Sequence, residues 1–373
     1  MANSSAARYM GAVLVTCFMA VGVAAAQSPA VSPKDAEYAA QQQQRQISQP
    51  LNNQPVWSEI RSGAPQVTTV RGQETNVLVQ PQGQTWRAAR VPLAAVGGLL
   101  VALALAGLGV FYLLRGPLGT QEKARGPFIE RFPLADRMAH WLTAIVWVTL
   151  AITGLILSLG KAVLLPLMGY TLFSWLATLS KNVHNLIGPI LIVAVPWMFV
   201  RFVRHNGIGM EDVRWFLNIA GYFKGHEHPS GKFNAGEKVI PFWFVLVGLS
   251  SVLVVTGLVL AFPNFGQVRQ TMQVANLLHM AAAYVAIALL LVHIYLGTIG
   301  AEGSYRSMRY GYVDSTWAKH NHLRWYEDIV AGRAREKVVE VDRVPPEVIS
   351  HYKAAGVAPV APSAAVTPAP TKR

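Results

Sequence analysis

The sequence predicts an all-α membrane protein with five transmembrane helices. Three observations predict it. Only 14% of the 373 residues are charged while 52% are hydrophobic, against about 25% charged in an average soluble protein. Five apolar runs, each bounded by charges, are long enough to cross a bilayer. Four histidines lie inside those runs, at positions that pair by depth. The net charge of +13 belongs to the loops between the runs and forms no single basic stripe, which excludes a nucleic-acid surface.

The chain opens with Arg8, an apolar stretch from Met10, and the small residues Ala24, Ala25 and Ala26. That order reads as a secretory signal over 1–26, cleaved after Ala26, with an uncleaved first membrane helix as the alternative. The only cysteine, Cys17, falls within it. The mature chain then has no disulfide, no thiolate-held iron–sulfur cluster and no Cys-x-x-Cys-His attachment, so a redox centre here needs other ligands. A polar extension covers 27–90, Gln-rich at Gln41–Gln44 and alternating weakly, as a short strand does, around Gln66–Val79.

A hydrocarbon core of roughly 30 Å takes about 20 helical residues, and backbone polar groups in lipid must be satisfied within the element. The first span is therefore a helix over 91–114, where no charge occurs between Arg90 and Arg115. The next four fall at about 138–160, 182–203, 239–262 and 274–301, within a domain extending over 115–329. A tail over 330–373 follows, Ala/Pro-rich and disordered from about Ala354. Basic residues crowd the loops Arg115–Arg137 and Arg201–Lys238 and the stretch after Ser304. The loop after the second span holds only Lys161 and Lys181, and the loop after the fourth only Arg269. Positive loops face the cytoplasm. The expected placement is a multi-pass bacterial inner-membrane protein with its mature N-terminus in the periplasm and its C-terminus in the cytoplasm.

Of ten histidines, His140, His184, His279 and His293 lie in the spans. An ionisable residue inside a membrane is costly and points to function, although one near a helix end escapes much of that cost. His279 and His293 are fourteen residues apart on one helix. Fourteen steps end about 40° short of four turns and rise roughly 21 Å, so the two share a face at opposite membrane levels. His140 opens the second span on the cytoplasmic side and His184 opens the third on the periplasmic side. The pairs are His184 with His279, and His140 with His293.

Two separate sites with two imidazoles each suit the axial positions of two haem irons. Zinc prefers four ligands, and no Asp, Glu or Cys lies within the runs to complete such a set. A proton relay through histidines is the competing reading and does not call for matched depths. Gly154 lies fourteen residues after His140, where a missing Cβ permits close approach of a macrocycle or of a neighbouring helix. Ile152-Thr153-Gly154-Leu155 and Val255-Thr256-Gly257-Leu258 echo each other.

Several runs resemble the cytochrome b (gamma) subunit of membrane-bound respiratory formate dehydrogenase, over about Phe132–Ile329. They are Arg137-Met138-Ala139-His140-Trp141, the run Phe199–Asn206, Lys232–Lys238 with Asn234-Ala235-Gly236 at its centre, Leu278–Ala282, His293-Ile294-Tyr295 and Trp317–Tyr326. The resemblance implies a four-helix transmembrane bundle, formed by the second to fifth spans with the first as one extra N-terminal helix, holding two haems b on His140, His184, His279 and His293. It also implies an iron–sulfur beta subunit as electron donor, fed by a molybdenum- or tungsten-containing alpha subunit that oxidises formate. Quinone, either menaquinone or ubiquinone, would be reduced near the cytoplasmic haem, with Asn234, Ala235, Gly236 and His293 lining its pocket; an Asn-Ala-Gly loop is also an ordinary turn. Formate chemistry itself would lie on a partner chain. Histidine placement alone is shared with the cytochrome b of nickel–iron hydrogenase, and a haem-free membrane anchor is a third reading. The signal, the polar extension and the first span are additions to the family pattern.

Overall fold

In the computed structural model the described residues are 81–118, 127–219, 229–336, 338–339 and 344–354, with a few isolated helical positions before 81. The signal, most of the polar extension, the short strand expected at 66–79 and the tail beyond 354 lie outside them. Among the described residues five helices are long and apolar enough to cross a membrane. Helix α1 is Pro81–Arg115 and α2 is Leu134–Val163. The third crossing, Leu165–His205, joins α3 (Leu165–Ile187) through a 3-10 turn at Pro189 to α4 (Leu191–Phe202). After the short α5 (Met210–Leu217), the fourth crossing, α6, runs Ala235–Ala261. The fifth is α7, Arg269–Tyr295, extended to Gly300. Leu113 and Leu114 on α1 are 83% and 84% exposed, a placement that suits lipid rather than water.

The third crossing starts at Leu165, well before the apolar run that begins near 182. Its early part mixes apolar side chains with Gly169, Ser174 and Lys181, so hydropathy alone does not mark it. Gly169 takes a positive φ of 76° and kinks the helix there, a conformation that costs glycine little. Two helical stretches are π-type, Lys238–Leu249 in α6 and Leu296–Gly300 after α7. Pro241 lies in the first and brings no N–H to the helical ladder. Ser250 donates its hydroxyl to the Val245 carbonyl five residues back, at 3.0 Å.

The chain divides into two compact units. The first takes Met1–Leu99, Ser158–Phe173 and Ser251–Tyr284. Here α1 meets α7 at Gly97, where any Cβ would strike the Tyr284 ring. Tyr284 donates its hydroxyl to Ser158 Oγ at 3.0 Å, and Trp86 Nε1 donates to Asn276 Oδ1 at 3.3 Å.

The second unit takes Leu100–Leu157, Ser174–Ser250 and Val285–Arg373. Within it the Phe199 and Phe242 rings stack at 5.8 Å, and Arg201 Nε donates to the buried Asp136 at 2.6 Å. Sequence periodicity does not announce its small cap. Strands β1 (Phe128–Glu130), β2 (Tyr312–Asp314) and β3 (Val338–Val339) form an antiparallel sheet in the order β2-β1-β3. Three short helices, α8 (Ser304–Tyr310), α9 (Ser315–Asn321) and α10 (Leu323–Val330), surround it, and α11 (Pro346–Ala354) is the last element among the described residues. Ile129, Val313, Trp317, Trp325 and Ile329 form one apolar core of the cap, and Phe128, Val344 and Val348 another.

Candidate functional site

His140 comes from α2 and His293 from α7, and both lie in the second unit. Their ring centroids are 6.2 Å apart with planes inclined at 54°. A metal–imidazole bond is about 2 Å long, and the ring centre lies about 1.1 Å behind its nitrogen, so two axial imidazoles on one metal stand roughly 6 Å apart. The observed separation fits that arrangement. Both rings line a cavity of about 510 Å³, within the roughly 300–1,000 Å³ that encloses a cofactor-sized ligand. Trp147, Leu155, Leu246 and Ile287 make its walls largely apolar, while Arg131, Asn206 and Glu237 add polar groups. His140 Nδ1 and Asn206 Oδ1 are buried without a hydrogen-bond partner, so the cavity carries unused polar capacity. Both π-type stretches supply lining residues, among them Pro241, Phe242 and Val245 from the first and Gly297 from the second. Widened helical turns of this kind recur at functional sites because they rotate side chains off the regular face.

His184, on α3 in the second unit, sits against α2. Its Nδ1 is 2.8 Å from Thr153 Oγ1, and a Cβ on Gly154 would lie 3.4 Å from its Cε1. His279, on α7 in the first unit, repeats the arrangement against α6. Its Nδ1 is 2.9 Å from Thr256 Oγ1, and a Cβ on Gly257 would again lie 3.4 Å from its Cε1. In both places the glycine faces an imidazole edge and the threonine before it meets the ring nitrogen.

Asn234, Ala235 and Gly236 form the start of α6. Asn234 Oδ1 accepts from the Glu237 amide at 2.9 Å, and Glu237 Oε2 accepts from the Asn234 amide at 2.9 Å. This reciprocal capping box satisfies two amides at the helix start. Ala235 is buried, and a Cβ on Gly236 would press on Trp215 at 3.1 Å. The cavity beside His293 is lined by Phe233 and Glu237, on either side of these three residues.

A buried charge cluster adjoins the cavity. The Arg131 guanidinium lies over Phe132, Trp317 and Phe233 at 4.8, 5.0 and 5.6 Å. Its Nη2 donates to the Lys232 carbonyl at 2.8 Å and lies 3.0 Å from His322 Nε2. His322 Nδ1 lies 2.9 Å from the Gly231 carbonyl. A guanidinium only donates and a carbonyl only accepts, so this ring is neutral with its proton on Nδ1. Burial, and then the charge of Arg131, pushes His322 well below the usual histidine range. Lys232 Nζ pairs with Glu336 at 2.7 Å, both side chains being nearly inaccessible. Burial lowers the Lys232 pKa in spite of that partner.

Sequence reasoning singled out all four membrane histidines and Gly154, but not the polar groups around them. Thr153 and Thr256 carried one signal, the repeated Thr-Gly dipeptide. His322 fell within the run Trp317–Tyr326 without a role being read for it, and Arg131 carried no signal, because their roles depend on strands two or three residues long.

The family described as prokaryotic cytochrome b561 matches residues 131–311. The nitrate-inducible formate dehydrogenase cytochrome b556 subunit of Escherichia coli (strain K12) is 32% identical over 228 residues, covering 58% of this chain and 99% of that protein. A second cytochrome b556 subunit of formate dehydrogenase from that strain is 30% identical over 210 residues, covering 54% and 93%. The formate dehydrogenase cytochrome b556 subunit of Haemophilus influenzae is 28% identical over 222 residues, covering 57% and 87%. With nearly the full length of such relatives matched at this identity, the chain belongs to the prokaryotic cytochrome b561 family, among relatives that are cytochrome b556 subunits of formate dehydrogenases.

Proposed function

We propose that this chain is the membrane cytochrome b subunit of a formate dehydrogenase, holding two haems b and delivering electrons to quinone. Membership of a cytochrome b family implies haem b; the proposal concerns number, ligands and direction. The observation that carries it is the His140–His293 pair, two rings 6.2 Å apart that line one largely apolar cavity, a spacing that suits two ligands of one metal. His184 and His279 would hold the second haem, a pairing supported by their matched depths in the sequence and their parallel surroundings. Among the described residues no three His, Cys, Asp or Glu side chains gather to hold a bare metal ion. A bound haem would supply a one-electron carrier at each level.

The chain's own residues do the rest. His140 and His293 would hold the haem among largely apolar walls. Arg131 and Glu237 place charge at the same cavity. Electrons would enter from an iron–sulfur subunit on the periplasmic side, at His184 and His279, since this chain has no cysteine beyond Cys17 to hold a cluster. They would leave at the cytoplasmic level, where Asn234–Gly236 and His293 meet quinone. This direction rests on the basic loops, which face the cytoplasm. It moves charge against the membrane potential, at about 2.3 kcal/mol per charge per 100 mV.

Purification of the chain with its native partners tests the proposal. Reduced-minus-oxidised spectra should show b-type bands, with two haems per chain. The co-purifying proteins should include an iron–sulfur subunit and a molybdenum or tungsten protein. Absence of b-type bands would make it a haem-free anchor, and recovery with hydrogenase subunits would assign it to a different enzyme.

A further inference from the structure

We propose that Thr153 and Thr256 are positioning residues that fix the tautomer and orientation of His184 and His279, presenting Nε2 of each ring to a metal. The inference rests on the reading of those histidines as haem ligands and adds the device that sets them. Thr153 Oγ1 is 2.8 Å from the Thr149 carbonyl one turn back, and Thr256 Oγ1 is 2.6 Å from the Val252 carbonyl. A carbonyl only accepts, so each hydroxyl's single proton points to its own helix. What remains toward the imidazole is a lone pair, at 2.8 Å from His184 Nδ1 and 2.9 Å from His279 Nδ1. The ring must therefore donate there. The Leu150 carbonyl, 3.2 Å from the Thr153 hydroxyl, also accepts from the His184 ring. With the proton held on Nδ1, the neutral ring has its unprotonated lone pair on Nε2, which is the form that binds a metal.

A threonine bonded to its own helix is common in membranes and proves nothing singly. Here the same threonine meets a histidine Nδ1 twice, on different helix pairs. Each time the next residue is a glycine, and a Cβ there would lie 3.4 Å from the same ring's Cε1. Hydroxyl and glycine together set the ring's tilt and its chemistry. Such a partner also raises the basicity of the ligating nitrogen, which favours the oxidised, more positive state of a bound iron.

The test uses the assembled complex carrying Thr153→Val, Thr256→Val, and serine at the same positions. Each valine variant should weaken haem retention at its site about tenfold. It should also raise that haem's potential by about 59 mV, a tenfold change in the one-electron equilibrium. Serine, which keeps the hydroxyl, should restore both. Unchanged potential and retention in the valine variants, with haem lost from His184→Ala and His279→Ala, would overturn the role of the threonines alone. Serine behaving like valine would do the same, since the methyl group and not the hydroxyl would then matter. Full haem content in the two histidine variants would instead overturn the ligand reading underneath.

Discussion

The surroundings of His184 and His279 differ from those of His140 in one respect that chemistry makes large. The first two rings meet a threonine hydroxyl at Nδ1, at 2.8 and 2.9 Å. His140 keeps a buried Nδ1 with no partner, in a cavity that also holds Arg131 and Glu237. A hydrogen bond to the far nitrogen strengthens an imidazole as a donor to metal; His140 lacks that bond, while the charges of Arg131 and Glu237, 3.6 Å apart, oppose each other. The difference between the levels therefore lies in the far-nitrogen hydrogen bond. The threonine-held level should be the poorer electron acceptor and the His140–His293 level the better one. Transfer from the first to the second would then be downhill in potential, which helps it against an opposing membrane field.

Removing a ligand is the strongest way to break this comparison. His293→Ala should remove one of two haems and abolish quinone reduction, leaving one haem per chain by haemochrome assay. If the remaining haem is the one that depends on His140, the pairing is wrong. A subtler measurement sharpens the same comparison. Redox titration of the parent complex should resolve two b-type waves, and His184→Ala should delete the lower one. Deletion of the higher wave would reverse the assignment of strong and weak donors.

The sequence shows the membrane histidines because burying an ionisable group in lipid is costly, so each stands out against an apolar background. Helical periodicity then places them by level, and the His140 and His293 rings lie 6.2 Å apart. The threonines were harder to see. Thr153 and Thr256 are compatible with any membrane helix, and only the repeated dipeptide sets them apart. The π-type turns around Pro241 and after Tyr295 left no periodic trace, since they are set by contacts rather than by hydropathy. The cap was invisible for another reason. Its strands are too short to show alternation, and Ile129, Val313 and Val338 meet only after the whole membrane domain has been crossed.

The loop at Asn234 allows a test of middle size. Its side chain caps α6, and losing such a cap costs about 1 kcal/mol. Asn234→Ala should therefore lower both helix stability and quinone turnover, with both haems kept. Asn234→Asp separates the causes, because aspartate caps equally well but offers no amide donor to a quinone carbonyl. Turnover should stay low in the aspartate variant while thermal stability recovers. Recovery of both would reduce the residue to a cap, and leave Phe233, Glu237 and His293 as the groups beside the acceptor.

The smallest expected effect reaches the His140–His293 level through the cap. His322 is neutral in the fold, accepting from Arg131 at Nε2 and donating from Nδ1 to Gly231. Its pKa lies well below the ordinary 6.5. Between those two values the unfolded chain binds the extra proton and the folded chain does not, so stability falls as pH falls. Above about 6.5 the contribution is fully present; it is lost progressively below, down to the folded pKa. Hydrogen exchange corrected for intrinsic rates should show β1, β2 and α9 losing protection as pH is lowered through this window, while α2 around Thr153 stays protected. His322→Gln carries no titrating ring and should flatten that dependence. Because Arg131 also lines the cavity, the higher-potential wave should move with the cap and the lower wave should not. Equal movement of both would show that the cap does not distinguish the two levels.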